Sequence, residues 1–427
     1  ETADIEIADL KLDGRNVAAG GENFFGIYVL NTPGTISDVT VTDVTQGGDG
    51  EPSGNQVVDA IRVRNEINND LSFSVVDSTF KNFDKRGIRM ESLTSLEIDV
   101  RRNRVIGAGA TNKTAQNGIS LAGTGDSING TVENNVVRDL GFVPSDTPFV
   151  ASYVSVISVS DMTFSGNDLI DTTPEAGNSV GAFFTDTQNA SFVGNTVEGM
   201  STGAVVSGGS GATVSGNEFR GHITAEGFPP KGILLRSTSS YSITDNLIED
   251  SASGIVSRDS TDGEISGNQV RRNTEDGLLL DDSTGNTVSD NVIEDNRNGT
   301  VVKGNFSGNT FTNQTSRNND VWDFTAEPTE GNGGISPISR AGVNIGESTK
   351  PDTIVSFDSN RVLLRSVDNP QEDPENLTNI GRYFEAESLS GESFLNISLS
   401  YEDADVADVN ESTLRLFRFN GTGWEEL

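Results

Sequence analysis

Three charged residues recur at one position of a repeated motif, and their chemistry could serve catalysis. Arg236, Arg258 and Asp281 each stand four residues after the glycine of a Gly-apolar-x-apolar segment. Asp259 and Asp282 follow directly after two of them. An arginine base beside Asp ligands for Ca²⁺ would suit polysaccharide elimination, and paired carboxylates would suit glycoside hydrolysis. The alternative is a charge ladder, in which opposite charges stack between neighbouring strands on a solvated face.

The chain contains few residues that could support other kinds of catalysis. It has one histidine and no cysteine, which excludes multi-histidine metal clusters and thiolate sites, and we expect no Ser-His-Asp triad because His222 alone could serve it. His222 lies in an Arg-Gly-His-Ile strand end, and we predict a turn residue there. Turns such as Asp281-Asp282 and Asp290 could bind Ca²⁺, but their spacing matches neither an EF-hand nor a glycine-rich nonapeptide repeat. We therefore expect that Ca²⁺ can bind but that no cofactor is required.

Two short signatures alternate along most of the chain and must position these residues. The first is glycine followed by apolar-x-apolar, as in Gly118-Ile-Ser-Leu, Gly232-Ile-Leu-Leu and Gly277-Leu-Leu-Leu. The second is apolar-x-x-Asn-x-apolar, with Asn at positions 103, 135, 167, 195, 217, 246, 268, 291 and 309. These asparagines are separated by 32, 32, 28, 22, 29, 22, 23 and 18 residues.

A period near 22 residues with occasional insertions predicts one turn of a β-solenoid. Strands of three to five residues bury their apolar face only when they stack in parallel. Asn suits the bend between two strands because it tolerates left-handed backbone, and stacked asparagines can bond one another as an internal ladder. A β-sandwich would require strands every 8–12 residues with hairpin turns, which does not fit this period.

The alternating signatures resemble the right-handed parallel β-helix repeats of pectate-lyase-like and NosD-like proteins. The opening Ile5-Glu-Ile-Ala-Asp-Leu-Lys-Leu is similar to an early coil of those folds. The resemblance covers residues 3–312, implies about eleven coils, and says little about activity because this scaffold carries lyases, hydrolases, adhesins and tailspikes. We therefore predict a β-helix over 1–312, a linker or covering segment over 313–350, and a small β-sandwich-like module over 351–427.

An apolar column is expected on the outside of the predicted helix. Alternation places the second residue after each glycine outward, and in six repeats this residue is hydrophobic. They are Phe183, Val205, Leu234, Val256, Leu279 and Val301. Because a stripe of several hundred Å² exceeds what soluble monomers usually expose, we expect the C-terminal module, the 313–350 segment or another subunit to cover it.

The charge balance restricts partners and environment. A net charge of −35 makes nucleic acid improbable, since phosphate binding needs clustered Lys and Arg. The 29 basic residues comprise 7 Lys and 22 Arg, and such an acidic, lysine-poor composition resembles that of haloarchaeal proteins. No apolar run is long enough for a membrane span. The start at Glu1 suggests a processed precursor.

Ten N-x-S/T sequons predict a glycosylated outer surface, and seven of them lie after residue 297. They are Asn112, Asn129, Asn189, Asn298, Asn305, Asn313, Asn376, Asn396, Asn410 and Asn420.

Three functions fit these patterns. The leading hypothesis is an extracellular structural or adhesive surface protein that self-associates into filaments, because the first strand begins at Asp4 without a capping element and an open solenoid end invites end-on contact. The second is a polysaccharide lyase or glycoside hydrolase acting on an extracellular glycan through Arg236, Arg258 and their Asp neighbours. The third is a viral receptor-binding spike.

Overall fold

A computed structural model shows an all-β chain folded into a right-handed parallel β-helix, followed by a small group of antiparallel strands. The structure describes residues 4–15, 23–45, 57–67, 69–111, 114–125, 127–143, 150–173, 178–222, 229–328, 338–345, 353–359, 361–367, 370–373, 377–387 and 395–427. Each coil contributes one strand to each of three parallel sheets, here named sheets A, B and C in chain order. The predicted fold class is confirmed.

The strands follow one another in the order A, B, C on every coil. Coils 1 to 4 comprise β1 (Ile5–Ala8), β2 (Lys11–Asp13), β3 (Phe24–Leu30), β4 (Gly34–Ser37), β5 (Thr40–Val44), β6 (Val58–Asn65), β7 (Asp70–Val76), β8 (Thr79–Phe83), β9 (Arg86–Ser92), β10 (Ser95–Arg101), β11 (Arg104–Thr111) and β12 (Asn117–Ala122). Coils 5 to 8 comprise β13 (Ile128–Glu133), β14 (Val136–Phe142), β15 (Ala151–Ile157), β16 (Met162–Ser165), β17 (Asp168–Ile170), β18 (Ser179–Thr185), β19 (Ser191–Val193), β20 (Thr196–Glu198), β21 (Thr202–Ser207), β22 (Thr213–Ser215), β23 (Glu218–Arg220) and β24 (Lys231–Arg236). Coils 9 to 12 comprise β25 (Ser242–Thr244), β26 (Leu247–Glu249), β27 (Ser253–Arg258), β28 (Glu264–Ser266), β29 (Gln269–Arg271), β30 (Asp276–Asp281), β31 (Thr287–Ser289), β32 (Val292–Glu294), β33 (Asn298–Gly304), β34 (Thr310–Thr312), β35 (Gln314–Arg317) and β36 (Trp322–Pro328).

The glycine of the first signature faces the interior of the helix, where a side chain has no room. A Cβ on Gly232 would lie 2.2 Å from Ile248 Cγ2 and 2.8 Å from the carbonyl oxygen of Gly254 on the next coil. After this glycine, Ile233 and Leu235 join the main core, whereas Leu234 points outward into a separate cluster. Glycine is therefore required where sheet C approaches sheet B closely, and the apolar-x-apolar residues after it alternate between the core and the outer face.

The corner between sheets A and B has two residues on every one of the twelve coils except the last, where a single residue separates β34 from β35. On coils 4 to 11 its last position is a buried Asn, and the residue before Asn217, Gly216, has a φ of 64°. Asn217 donates through Nδ2 to Asn246 Oδ1 at 2.9 Å, and its backbone N–H donates to the same oxygen at 3.0 Å. The ladder runs through Asn103, Asn135, Asn167, Asn195, Asn217, Asn246, Asn268, Asn291 and Gln314.

The predicted internal ladder is thus present, with one correction. Asn309 precedes β34 and accepts a hydrogen bond from Asn286 Nδ2 at 3.0 Å, so it belongs to a second ladder at the corner between sheets C and A. The position in the main ladder is taken by Gln314, whose longer side chain still accepts from Asn291 at 3.1 Å.

The corner between sheets B and C varies most in length. Residues 84–85 connect β8 to β9, whereas residues 14–23, 45–57 and 221–230 form the longest connections at this corner. Insertions relative to the shortest coils therefore accumulate at this corner.

The helix continues beyond the predicted end at residue 312, and its twelfth coil closes with β36. The apolar island Val321-Trp322-Asp323-Phe324 supplies this strand, and Phe324 pairs with Thr300 of β33. The Asn signature is absent from this coil because Gln314 stands in its place. The chain thus gains one coil over the predicted eleven.

The C-terminal strands are built onto the last coil. Sheet B continues through β37 (Ile338–Asn344), β38 (Ile354–Ser359) and β41 (Leu395–Leu399), while sheet C continues through β39 (Val362–Ser366) and β40 (Phe384–Glu387). Two 3₁₀ helices, η1 (Asp403–Val406) and η2 (Glu411–Thr413), precede the hairpin β42 (Phe417–Phe419) and β43 (Trp424–Glu426). The rings of Phe324 and Phe357 are 5.2 Å apart, so the described strands of this group cap the end of the helix and share its core.

The other end of the helix has no comparable cover among the described residues. On coil 1, Ile5, Ile7, Leu10, Leu12 and Phe24 pack against the core but are only partly buried. No described strand pairs with the outer edges of β1, β2 and β3. In the part of the chain that the structure describes, no helix is long and apolar enough to cross a membrane.

Candidate functional site

The charged residues predicted for catalysis lie in register on the outer face of sheet C. Arg236, Arg258 and Asp281 pair in succession on β24, β27 and β30. Asp281 is 3.4 Å from Arg258 Nε and 3.5 Å from Lys303 Nζ. The described contacts therefore form a charge ladder between coils, and Arg236 adds a guanidinium without a described ion-pair partner.

Asp259 and Asp282 lie at the corner between sheets C and A, each with a φ of 49°. Asp282 Oδ1 accepts a hydrogen bond from the backbone N–H of Asn305 at 2.8 Å, so this carboxylate is engaged in shaping the corner. No group of three or more His, Asp or Glu side chains among the described residues is arranged to hold a metal ion. The Ca²⁺ site stays a prediction without a described ligand set.

The predicted apolar column forms its own cluster on the outer face of sheet C. Val205, Leu234 and Leu279 are each 5 % exposed and Val256 is fully buried, while Phe183 and Val301 are half-buried. Val150 and Val180 also join this cluster. The described hydrophobic residues of the cluster all come from this face and its adjoining corner, none from 313–350 or 351–427.

The sequons lie in varied settings. Asn129 and Asn298 are half-buried within strands, whereas Asn189, Asn305, Asn313, Asn396, Asn410 and Asn420 are exposed. Asn112 and Asn376 lie outside the described residues.

A second charged site, on coils 2 and 3, was not singled out from the sequence. The outward residues of β6 are Asp59, Arg62 and Arg64, and those of β9 are Arg86, Arg89 and Glu91, paired in that order. We call these six residues the arginine cluster. With four guanidinium groups and two carboxylates it carries an excess of positive charge, on a chain whose net charge is −35.

Asp59 occupies the innermost position of the arginine cluster. Its side chain is fully buried, and its Oδ1 accepts a hydrogen bond from Arg86 Nη1 at 3.1 Å. Its Oδ2 is 3.8 Å from Arg62 Nη1 and accepts no hydrogen bond from the described residues. Burial raises the pKa of this carboxyl group, although the surrounding arginines oppose that effect. Because Asp59 has no exposed surface, its carboxylate acts on a ligand only through the guanidinium groups of Arg62 and Arg86 that it holds in place.

Glu91 joins the two central arginines. Its carboxylate is 2.5 Å from Arg62 Nη2 and 2.8 Å from Arg89 Nη2. Burial disfavours the charged form most strongly, but the ion pairs with Arg89 and Arg62 together outweigh it and lower the pKa of Glu91. Arg89 also donates to Ser120 Oγ on coil 4 at 2.5 Å, so its guanidinium is held in a fixed orientation.

A buried lysine lies directly beside the arginine cluster. Lys85 precedes Arg86 at the corner between sheets B and C, and its Nζ donates to Thr114 Oγ1 at 3.2 Å and to the carbonyl of Ala115 at 2.9 Å. Burial lowers the pKa of its ammonium group to about 8. At neutral pH it therefore adds a further positive charge to the site.

An aromatic edge borders the arginine cluster on the side of coil 1. Phe25 and Tyr28 stack with ring centroids 5.1 Å apart, and the guanidinium of Arg62 lies 5.4 Å from the Phe25 ring. Tyr28 is 44 % exposed. On the side of coils 4 and 5 the outward residues Ser120 and Ser155 are small. On the outer face of sheet C the guanidinium groups thus lie between the exposed ring of Tyr28 and the small side chains of Ser120 and Ser155.

The arginine cluster can bind anionic groups, because guanidinium forms charge-assisted hydrogen bonds with carboxylate, sulfate and phosphate oxygens. Alternation along each strand accounts for the outward positions of Arg62, Arg64, Arg89 and Glu91, but not for the residue before each signature glycine or the alanine that replaces it in β6. That position forms a third outward column, which contains Asp59 and Arg86.

One comparison with protein families agrees with the fold over part of the chain. A family model described as "Right handed beta helix region" matches residues 180–350. No curated protein matches the chain in sequence. Among solved structures, the periplasmic alginate epimerase AlgG is 14 % identical over 77 % of this chain and 74 % of its own, with a TM-score of 0.43. The Dettilon tailspike protein gp208 is 9 % identical over 78 % and 72 % (TM-score 0.44), and the Azotobacter vinelandii mannuronan C-5 epimerase AlgE4 A-module is 15 % identical over 69 % and 86 % (TM-score 0.35). Such identities are too low to transfer an activity.

Proposed function

We propose that this chain is an extracellular glycan-binding β-helix that holds an anionic polysaccharide against the outer face of sheet C at the arginine cluster. The observation that carries this proposal is the group of guanidinium side chains around Asp59, which has one unsatisfied oxygen. A cluster of positive charge is unusual on a chain whose net charge is −35, and this favours a binding role for the cluster. Tyr28 supplies an exposed ring on which a sugar can stack.

The exposure of the cluster supports a ligand of extended shape. The side chains of Arg62, Arg86, Arg89 and Glu91 are 11–19 % exposed, so they are accessible yet partly desolvated. Partial desolvation strengthens their contacts with an anion and makes binding less sensitive to salt than at a fully exposed basic patch. Neighbouring coils lie about 4.8 Å apart, so a chain lying across several coils would meet charges at regular steps.

Binding to a polyuronate, a sulfated polysaccharide and a neutral glucan of matched length tests the proposal by calorimetry. We expect the polyanions to bind and the glucan not to bind, and Arg64→Gln and Arg89→Gln to weaken binding about tenfold or more, since a charge-assisted hydrogen bond contributes roughly 1.5–3 kcal/mol. Arg258→Gln, in the charge ladder of coils 8–11, is the matched control and should bind like the parent. Equal losses in all three variants, or equal binding of the glucan, would overturn the proposal.

Chemical turnover of the bound glycan can be followed in the same samples. An elimination would release unsaturated sugars that absorb ultraviolet light, and a hydrolysis would release reducing ends. If either is found, Asp59→Asn at the arginine cluster and Arg258→Ala at the charge ladder distinguish which of the two sites is responsible. Binding without turnover would support an adhesive role.

A structural or adhesive surface protein that self-associates is the second candidate. It is favoured by coil 1, where apolar side chains such as Ile7 and Leu12 are only partly buried and the outer strand edges are unpaired among the described residues. Its acidic, lysine-poor composition is consistent with a haloarchaeal cell surface. A viral spike would differ from a filament in having threefold symmetry.

A further inference from the structure

We infer that Asn305, Asn410 and Asn420 carry N-linked sugar chains, whereas Asn129 and Asn298 do not. This inference rests on the extracellular location in the proposed function, because the transferases that modify such sequons act on exported chains. It selects among the ten sequons by their local geometry.

The three selected sequons share one turn. In each, the hydroxyl of the third residue donates to the Asn side-chain oxygen at 2.8 Å: Ser307 to Asn305, Ser412 to Asn410 and Thr422 to Asn420. The backbone N–H of the same third residue donates to that oxygen at 3.2, 3.1 and 3.0 Å respectively.

This turn presents the amide nitrogen to a transferase. With the oxygen held by these donors, Nδ2 of Asn305 and of Asn410 has no described acceptor. Nδ2 of Asn420 donates one of its two hydrogens to Oε1 of the exposed Glu425 at 2.5 Å, so an N–H remains for the transferase on all three exposed side chains. Because all bonds of the turn join residues two apart, it can form before the tertiary structure is complete. Modification during export and modification after folding are therefore both compatible with it.

The two excluded sequons have the opposite geometry. Asn298 is half-buried at the start of β33, and its Nδ2 donates to Asp276 Oδ1 at 2.9 Å. The hydroxyl of Thr300, its third residue, is buried in the interior with no described partner. Asn129 lies within β13, where it pairs with Glu97 of β10. The hydroxyl of Thr300 would have to leave the interior to reach Asn298, and at Asn129 the extended backbone of β13 does not form the turn that the three selected sequons share.

The selected sites lie at one end of the molecule. Asn305 follows β33 on coil 11, Asn410 caps η2, and Asn420 lies in the hairpin turn between β42 and β43. The arginine cluster is on coils 2 and 3. Sugars at these positions would cover the capped end and leave the glycan-binding face free.

The reaction is a substitution at the anomeric carbon of a phosphate- or pyrophosphate-activated oligosaccharide. Nδ2 forms a bond to C1, and the bond from C1 to the phosphate oxygen breaks. The phosphate leaves with the electron pair, and one amide proton passes to a base of the transferase. No oxidant or reductant is needed.

Glycopeptide mass spectrometry of the protein purified from cells that export it tests the inference. We expect sugar on the peptides containing Asn305, Asn410 and Asn420 and none on those containing Asn129 and Asn298. Ser412→Ala should abolish the sugar at Asn410 while Ser412→Thr retains it, and neither substitution should change the melting temperature, since this side chain is exposed.

Absence of sugar at the three positions, or occupancy at Asn129 or Asn298, would overturn the inference. Polyanion binding measured on the same preparation separates the two proposals. If binding at the arginine cluster is intact and no sugar is found, only the modification sites are wrong. If sugar is found and binding is absent, only the glycan-binding function fails.

Discussion

His222, the one histidine of the chain, is buried at the corner after β23. Its Nδ1 lies 3.2 Å from the carbonyl oxygen of Met200, and its ring is 6.4 Å from that of Phe219. Burial lowers the pKa of this imidazole to about 4. The folded protein thus keeps His222 neutral at a pH where the unfolded chain, with a pKa of about 6.5, binds a proton.

This difference predicts a loss of stability in mild acid. Stability from neutral His222 is fully present above pH 6.5 and is lost as the pH falls from about 6.5 to about 4. The loss totals about 3 kcal/mol at 1.36 kcal/mol per pKa unit. Urea unfolding at pH 7 and pH 4.5 of the parent and His222→Gln measures it. Buried carboxyl groups such as Asp323 act in the opposite direction but are common to both proteins, so equal pH dependence of the two would refute the prediction.

Single residues also show what the sequence could and could not reveal about the site. The outward positions of Arg62 and Arg89 followed from alternation, since strand side chains alternate whatever surrounds them. The burial of Asp59 did not follow, because it depends on groups outside its own coil. Its contact with Arg86, 27 residues away, required the register of β6 on β9. The irregular spacing of the early coils hides that register in the sequence.

At the scale of elements, Asp323 of β36 joins the last coil to the capping strands. Its Oδ2 accepts from the backbone N–H of Ser366 at 2.9 Å and from Ser366 Oγ at 3.2 Å, and its Oδ1 accepts from Asn319 Nδ2 at 2.8 Å. Through Asn319 this carboxylate also ends an asparagine ladder at the corner between sheets B and C, which passes through Asn273 and Asn296.

Removal of this carboxylate should loosen the cap. Asp323→Ala leaves several buried donors unpaired, each of which costs roughly 1–3 kcal/mol. We expect faster amide hydrogen exchange in β39 and β40 by tenfold or more, with coils 1–10 unchanged. Asp320→Ala, an exposed neighbour, is the control and should exchange like the parent. Uniformly faster exchange along the whole helix would contradict a local role for Asp323.

The elements themselves were largely predictable. Each Gly232-like glycine and each Asn217-like asparagine has a steric or hydrogen-bonding reason that acts within one coil and its neighbour, so local sequence suffices. The end of the helix was harder to predict, since Gln314 replaces the marker residue and the Trp322 strand carries no glycine signature. Some of the C-terminal strands pair antiparallel with residues far away in sequence, as Phe324 does with Leu364 and Val355 with Leu399, and no repeat in the sequence indicates such pairs.

At the scale of the whole molecule, charge opposes contact between copies. A chain of net charge −35 repels another copy over roughly 10 Å at 0.1 M salt, but over only about 3 Å at 1 M. The partly buried apolar residues of coil 1 are therefore available for association chiefly in concentrated salt.

Association should accordingly increase with salt. Light scattering in 0.1 M and 2 M NaCl is expected to show a higher mean mass in 2 M, and Ile7→Glu, which places a charge among the apolar residues of coil 1, should abolish the increase. Glu218→Gln, on the outer face of sheet B, is a control that should behave like the parent. A mass independent of salt, or an increase that survives Ile7→Glu, would exclude end-on contact through coil 1.

The asparagine ladder forms a row of aligned side-chain amide dipoles along the β-helix. From Asn103 to Asn291, each Nδ2 donates one hydrogen to the side-chain oxygen on the next coil and the other to a backbone carbonyl on the coil before, so the side-chain amide oxygens and nitrogens follow one order at every step. Aligned hydrogen bonds polarise one another in a medium of low dielectric constant. The positive end of this row faces the capped end of the molecule and its negative end faces coil 1. Since salt screens charges beyond about 3 Å at 1 M, this polarity acts only between ends in direct contact, where it favours head-to-tail over head-to-head stacking.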